Sequence, residues 1–113
     1  MRRGEVWTAN LNPPRGQEIG KIRPVVIMQT DKLGGALTPL VVVLPMTTRV
    51  YPTFKIWRVQ IPARERLLKP CQVVTDQPRS LDRARIGEGP LTTLTPAEMA
   101  AVEKGLKAVL GIL

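Results

Sequence analysis

The 113-residue chain contains no histidine and one cysteine, Cys71. Without imidazole it loses both the commonest general base and the commonest metal ligand. One thiol cannot supply the three or four N or S ligands of a zinc site, nor close an internal disulfide. Cys71 therefore reads as a small buried hydrophobe. Aromatic residues are also scarce: Trp7, Tyr51, Phe54 and Trp57. Tryptophans stack on unpaired bases in single-strand binders, but with so few aromatics at least one of the two is expected in the core. There is no apolar run of about 18 residues and no signal-peptide core after Met1-Arg2-Arg3. The expectation is a soluble, cytoplasmic protein with no membrane partner.

What the chain has in excess is positive charge: 17 Lys and Arg against 9 Asp and Glu, a net charge of +8. Such a field attracts polyanions, so RNA, DNA or an acidic protein segment are the natural partners. The excess belongs to residues 1–90, because residues 91–113 carry two charges of each sign. The length fits one domain spanning residues 1–113.

Strand signals dominate. Residues 5–11 mix β-formers with polar residues before Asn12-Pro13-Pro14-Arg15-Gly16. From Pro13 to Ile22, prolines, glycines and charges mark an exposed loop of a length that is often functional. Pro24 to Gln29 and Leu40 to Leu44 are short apolar runs, expected as central strands buried on both faces. Thr53 to Ile61 alternates imperfectly, which a bulge near Ile56 would reconcile. Gln72 to Asp76 reads as a strand, and Arg79 to Arg85 as a helical turn or two before an edge segment ending at Gly87. Thr95 as cap, Pro96 and Glu98 announce a helix start, and Met99, Val102, Leu106, Val109, Leu110 and Leu113 form its apolar stripe. Together these elements predict a mainly β, α+β fold: a small, strongly bent antiparallel sheet or partial barrel with a C-terminal α-helix.

Several polar residues stand at strand ends. Arg23, held extended by Pro24, is either a solvated strand-end arginine or a clamp for a phosphate or pentavalent transition state. Thr47 and Thr48 either satisfy a turn or bond a phosphate oxygen. Asp76 reads as a proton acceptor, a turn cap or the ion-pair partner of Arg79; Gln77 reads as an amide able to address a base edge. Asp76, Asp82 and Glu88 are conceivable magnesium ligands, but their spacing does not put them on one strand face, so solvated carboxylates are expected and no metal or cofactor is assigned.

In order and spacing, Arg3-Gly4-Glu5-Val6-Trp7, Leu11-Asn12-Pro13, Gly16-Gln17-Glu18, Arg23-Pro24-Val25-Val26, Val43-Leu44-Pro45-Met46-Thr47 and Asp76-Gln77-Pro78-Arg79-Ser80-Leu81-Asp82 with the closing helix resemble the MazF/PemK family of toxin endoribonucleases from bacterial toxin-antitoxin systems. The resemblance implies an SH3-like barrel, a homodimer, and a cognate antitoxin whose acidic, disordered tail blocks the substrate groove. It also implies metal-free, sequence-selective cleavage of single-stranded RNA, mostly mRNA. In that chemistry the ribose 2′-OH attacks the adjacent phosphorus, leaving a 2′,3′-cyclic phosphate and a 5′-hydroxyl. Because the substrate brings its own nucleophile, the protein mainly holds in-line geometry and neutralises charge.

By resemblance, Arg23 and Thr47 match the family's catalytic pair, Asp76 a general base of the PemK-like branch, and Gln77 a residue near bound RNA. Arg15, Gln17, Glu18, Lys21, Thr48 and Arg79 complete the expected RNA-binding set. Two positions depart from that branch: its arginine two residues before the carboxylate is Val74 here, and its first-loop histidine is Gln17. Arg79, Arg15 or Lys21 are the available substitutes for the missing cation. The alternatives are an RNA-binding relative that does not cleave and a CcdB-like gyrase poison. The latter would bind through bulky residues at the helix end, where this chain has Gly111-Ile112-Leu113.

Overall fold

The structure is a computed structural model that describes residues 1–34, 37–49 and 58–112. Its strands are β1 (Glu5–Asn10), β2 (Ile22–Ile27), β3 (Leu40–Thr47), β4 (Arg58–Ile61), β5 (Cys71–Val74), β6 (Arg79–Asp82) and β7 (Thr92–Thr93), followed by the helix α1 (Pro96–Leu110). All the pairings are antiparallel. The sheet runs β4-β5-β3-β2-β1-β7, with β6 also paired to β3.

The long strand β3 bends the sheet. One edge pairs with β2 through Val43, Leu44 and Pro45. The other edge pairs first with β6 over Leu40 to Val43, then with β5 at Met46 and Thr47. Pro45 lies in the gap between those two partners, where a missing N–H need not interrupt a ladder. The change of partner curls the sheet into a partial barrel.

Both faces of the centre are buried, which is why β2 and β3 read as continuous apolar runs. Val26, Leu44, Met46 and Val73 face α1, with Met99 and Val102 packed on them. Val25, Ile27, Val41, Val43 and Leu81 face the other way, beneath Leu11, Ile19, Trp7 and Ile86. Trp7 is thus the expected core tryptophan, half-buried, with Nε1 donating to Glu5 Oε1 at 3.1 Å. Cys71 is buried as expected, and burial pushes its thiol pKa up. Trp57 and the bulge expected near Ile56 lie outside the described residues.

The helix begins where its sequence says. Thr95 Oγ1 accepts from Glu98 N–H, Glu98 Oε1 accepts from Thr95 N–H, and Pro96 takes the first helical position. Gly111 ends it in the left-handed conformation, φ 71°. Among the described residues, the expected apolar stripe is buried only in its first half: Met99 and Val102 are in the core and Leu106 packs against it, whereas Leu110 is exposed; Leu113 lies outside the described residues.

The segment expected as helical turns is largely strand. Arg79–Asp82 is β6, and only Arg83–Arg85 forms a single 3-10 turn, with Asp82 Oδ1 accepting from Ala84 N–H. Pairing with β3 decides the matter, because Leu81 and Arg79 stand opposite Val41 and Val43. Strand β5 also ends earlier than expected, at Val74, leaving Asp76 in the turn that follows. Among the described residues, no helix is long and apolar enough to cross a membrane.

Candidate nucleic-acid interface

The segment between β1 and β2 is closed at its base by backbone and side-chain bonds. Leu11 N–H donates to Lys21 O at 2.8 Å, and Lys21 N–H to Asn12 Oδ1 at 2.8 Å. Lys21 itself is left-handed, φ 69°, a conformation that costs a non-glycine residue about 1–2 kcal/mol. These two bonds hold it there, immediately before the strand that carries Arg23. Gly20 is packed on Pro14 so closely that a Cβ would lie 2.7 Å from the ring. Arg85 adds bonds from Nη1 to the Asn10 and Asn12 carbonyls.

Arg23 and Thr47 are brought together. Continuing the β2–β3 register from Val25 opposite Pro45 puts residue 23 opposite residue 47. Arg23 Nε donates to Gly20 O at 2.8 Å, and Nη1 lies 3.4 Å from Thr47 Oγ1. Thr47 is 5% exposed, and the same hydroxyl accepts from Arg49 N–H at 3.2 Å. Two side-chain atoms of the half-buried guanidinium are therefore committed to protein. The remainder of its fork faces a cleft of about 330 Å³ lined by Lys21, Ile22, Arg23, Pro24, Met46, Thr48 and Arg49. Three cations around one opening make it suited to a phosphate.

Asp76 is not in that cleft. It lines a separate depression of about 400 Å³ with Gln17, Glu18, Gln77, Pro78 and Arg79. The described residues show no bond from Asp76 to Arg23, Thr47 or Arg79. Arg79 instead turns inward, with Nη1 donating to Leu11 O at 3.1 Å and contacting Ile19 O at 3.5 Å. Gln77 Oε1 accepts from Ile19 N–H at 2.9 Å. Arg15 lines neither cleft; its N–H donates to Glu18 Oε1 at 2.7 Å within the loop.

Val74, where the resemblance places a cation in other members, is fully buried. Arg49 is the cation that strand-end reasoning misses. Its only sequence signal is a basic residue two positions after Thr47, and the close of β3 is what carries it into the cleft beside Arg23. No group of three or more Asp, Glu or Cys that could hold a metal gathers among the described residues. Asp82 caps its turn and Glu88 approaches Arg66 at 3.8 Å.

The family profile described as PemK-like, MazF-like toxin of type II toxin-antitoxin system matches residues 2–110. The chain belongs to this family. Among its relatives, an Endoribonuclease MazF from Staphylococcus saprophyticus is 37% identical over 113 residues, which is 99% of this chain and 92% of that one. MazF from Deinococcus radiodurans superposes with a TM-score of 0.82 at 26% identity, covering 99% of this chain and 97% of that one. A MazE-MazF structure from the same organism matches at 27% identity and a TM-score of 0.76, covering 100% and 97%. The curled antiparallel sheet with its C-terminal helix is the MazF fold, and the cleft beside Arg23 and Thr47 lies at one end of it.

Proposed function

We propose that this MazF-family toxin is a metal-independent endoribonuclease that cuts single-stranded RNA, chiefly mRNA, and so inhibits translation. The observation that carries the reading is the Arg23–Thr47 pair at the mouth of a cleft that also holds Lys21 and Arg49. The ribose 2′-OH attacks the adjacent phosphorus, the P–O5′ bond breaks, and the leaving 5′-oxygen takes a proton from water, so that the products carry a 2′,3′-cyclic phosphate and a 5′-hydroxyl. Arg23 binds the phosphate and stabilises the charge that grows on its oxygens. Thr47 fixes the guanidinium, and Arg49 and Lys21 neutralise neighbouring phosphates. Asp76, exposed at the rim of the second depression, serves as the base for the 2′-OH when RNA spans both hollows. Gln17, Glu18 and Thr48 face the nucleotides on either side.

The name of the MazE-MazF neighbour supports an antitoxin partner for this chain, and a +8 chain fits an acidic antitoxin tail in the same basic groove. The active form is a homodimer. The test is incubation of the purified protein with a long single-stranded RNA in EDTA, followed by mapping of fragment ends. Discrete cuts with cyclic phosphate ends are expected. Intact RNA in the presence of folded protein overturns the reading and favours RNA binding without cleavage.

A further inference from the structure

The basic cleft depends on a loop that is held only in part by its own side chains, Asn12 at its base and Glu18 near its tip. Beyond the Arg85 bond to Asn12 O at its base, the segment between Leu11 and Lys21 meets the rest of the protein at Ile19, whose side chain packs on the cluster of Val25, Val43 and Leu81. The Ile19 N–H is taken by the turn after β5, and its carbonyl is approached from the start of β6. Gln77 Oε1 receives the Ile19 N–H at 2.9 Å, and Arg79 Nη1 reaches Ile19 O at 3.5 Å while donating to Leu11 O at 3.1 Å. One residue further on, Gly20 O receives Arg23 Nε at 2.8 Å. The chain of contacts runs from Gln77 through Ile19 and Gly20 to the guanidinium, joining residues 58 apart in sequence.

We infer that Gln77 and Arg79 are positioning residues, a latch that fixes Ile19 and thereby aims the Arg23 guanidinium, rather than groups that touch RNA. The inference rests on the proposed ribonuclease function for its catalytic consequence, but the latch itself is a property of the free protein. It assigns the work of Gln77 to its carbonyl oxygen. Contact with a base through the side-chain NH2 would assign it to the nitrogen. The same latch sets the shape of the hollow between Gln17-Glu18 and Asp76-Gln77, since it joins the two walls.

Gln77→Glu keeps an acceptor for Ile19 N–H, whereas Gln77→Met has similar length and no comparable acceptor. Amide exchange of Ile19 and the Arg23 Nε–H resonance are read by NMR on each variant without RNA. Faster Ile19 exchange and a shifted Arg23 signal are expected in Gln77→Met, with near-native values in Gln77→Glu. In steady-state cleavage, Gln77→Met should lower kcat by about 100-fold, the scale of a 1 Å misplacement, with little change in KM, and Gln77→Glu should recover most of it. Native Ile19 protection in Gln77→Met overturns the latch. So does an equal rise in KM for both variants with kcat unchanged, because that is the signature of direct RNA contact. If the wild type cuts no RNA, the ribonuclease reading fails while the NMR comparison still decides the latch.

Discussion

Arg64 and Glu98 form a two-pronged ion pair, Nη1 to Oε2 at 2.8 Å and Nη2 to Oε1 at 2.6 Å, that ties the segment between β4 and β5 to the first turn of α1. Glu98 Oε1 also accepts the Thr95 N–H, so one carboxylate closes the capping box and the tertiary contact. Arg64 continues to Thr92 Oγ1 and Thr93 O. The bond to Arg64 holds the Glu98 carboxyl below its ordinary pKa, against the opposing effect of burial, and the Arg64 pKa is correspondingly raised.

This pair sets an acid limb of stability. A carboxyl group whose pKa is lowered by folding contributes fully above its unfolded value, and the contribution is lost as pH falls through the lowered folded value. Glu98→Gln keeps a capping-box residue but loses the charge. With side chains still 24% and 18% exposed, the loss at neutral pH should be about 1–2 kcal/mol. Urea denaturation across pH should show wild type and variant converging in acid; a constant difference at every pH refutes the electrostatic account.

Arg23→Ala should lower RNA cleavage by about 100- to 1,000-fold, the usual effect of deleting one transition-state donor, with an unchanged circular dichroism spectrum. Near-normal cleavage would remove Arg23 from the mechanism. Arg79→Ala should lose less, because its guanidinium is directed at the Leu11 and Ile19 carbonyls.

Thr47 acts through Arg23. Thr47→Ser retains the hydroxyl that receives Arg23 Nη1 and Arg49 N–H, while Thr47→Val conserves shape and leaves that amide and the half-buried guanidinium without it. Cleavage should fall about 10-fold or more in the valine variant, as expected for loss of one bond to a charged group, and stay near native in the serine variant. Equal activities would mean that the hydroxyl contributes nothing.

How much of this was legible in the chain varies with the range of the interaction that decides each element. The helix start was legible because Thr95, Pro96 and Glu98 interact with one another. The β2 and β3 runs were legible because burial on both faces removes polar residues from the pattern. The state of Arg79–Asp82 was not, because four residues carry too little periodicity and its pairing partner is β3, some forty positions earlier. Arg23 and Thr47 stood out as strand-end residues, and the family resemblance linked them. That Gln77 and Arg79 serve the Ile19 backbone, and that Arg49 shares the Arg23 cleft, depends on how distant segments meet. No local pattern encodes those contacts.

Gly20→Ala tests the loop from its other side. The added methyl group would meet Pro14 ring atoms at 2.7–2.9 Å, closer than nonbonded carbons tolerate, so either the ring or the Gly20 carbonyl must move. Displacing the carbonyl releases Arg23 Nε, and cleavage should fall by about 10-fold or more while the midpoint of thermal unfolding changes little, since the sheet and helix packing lie elsewhere. Pro14→Ala combined with Gly20→Ala removes the clash and should restore part of the rate. A double variant as slow as the single one would show that the obstruction at Gly20 does not act through the Pro14 ring.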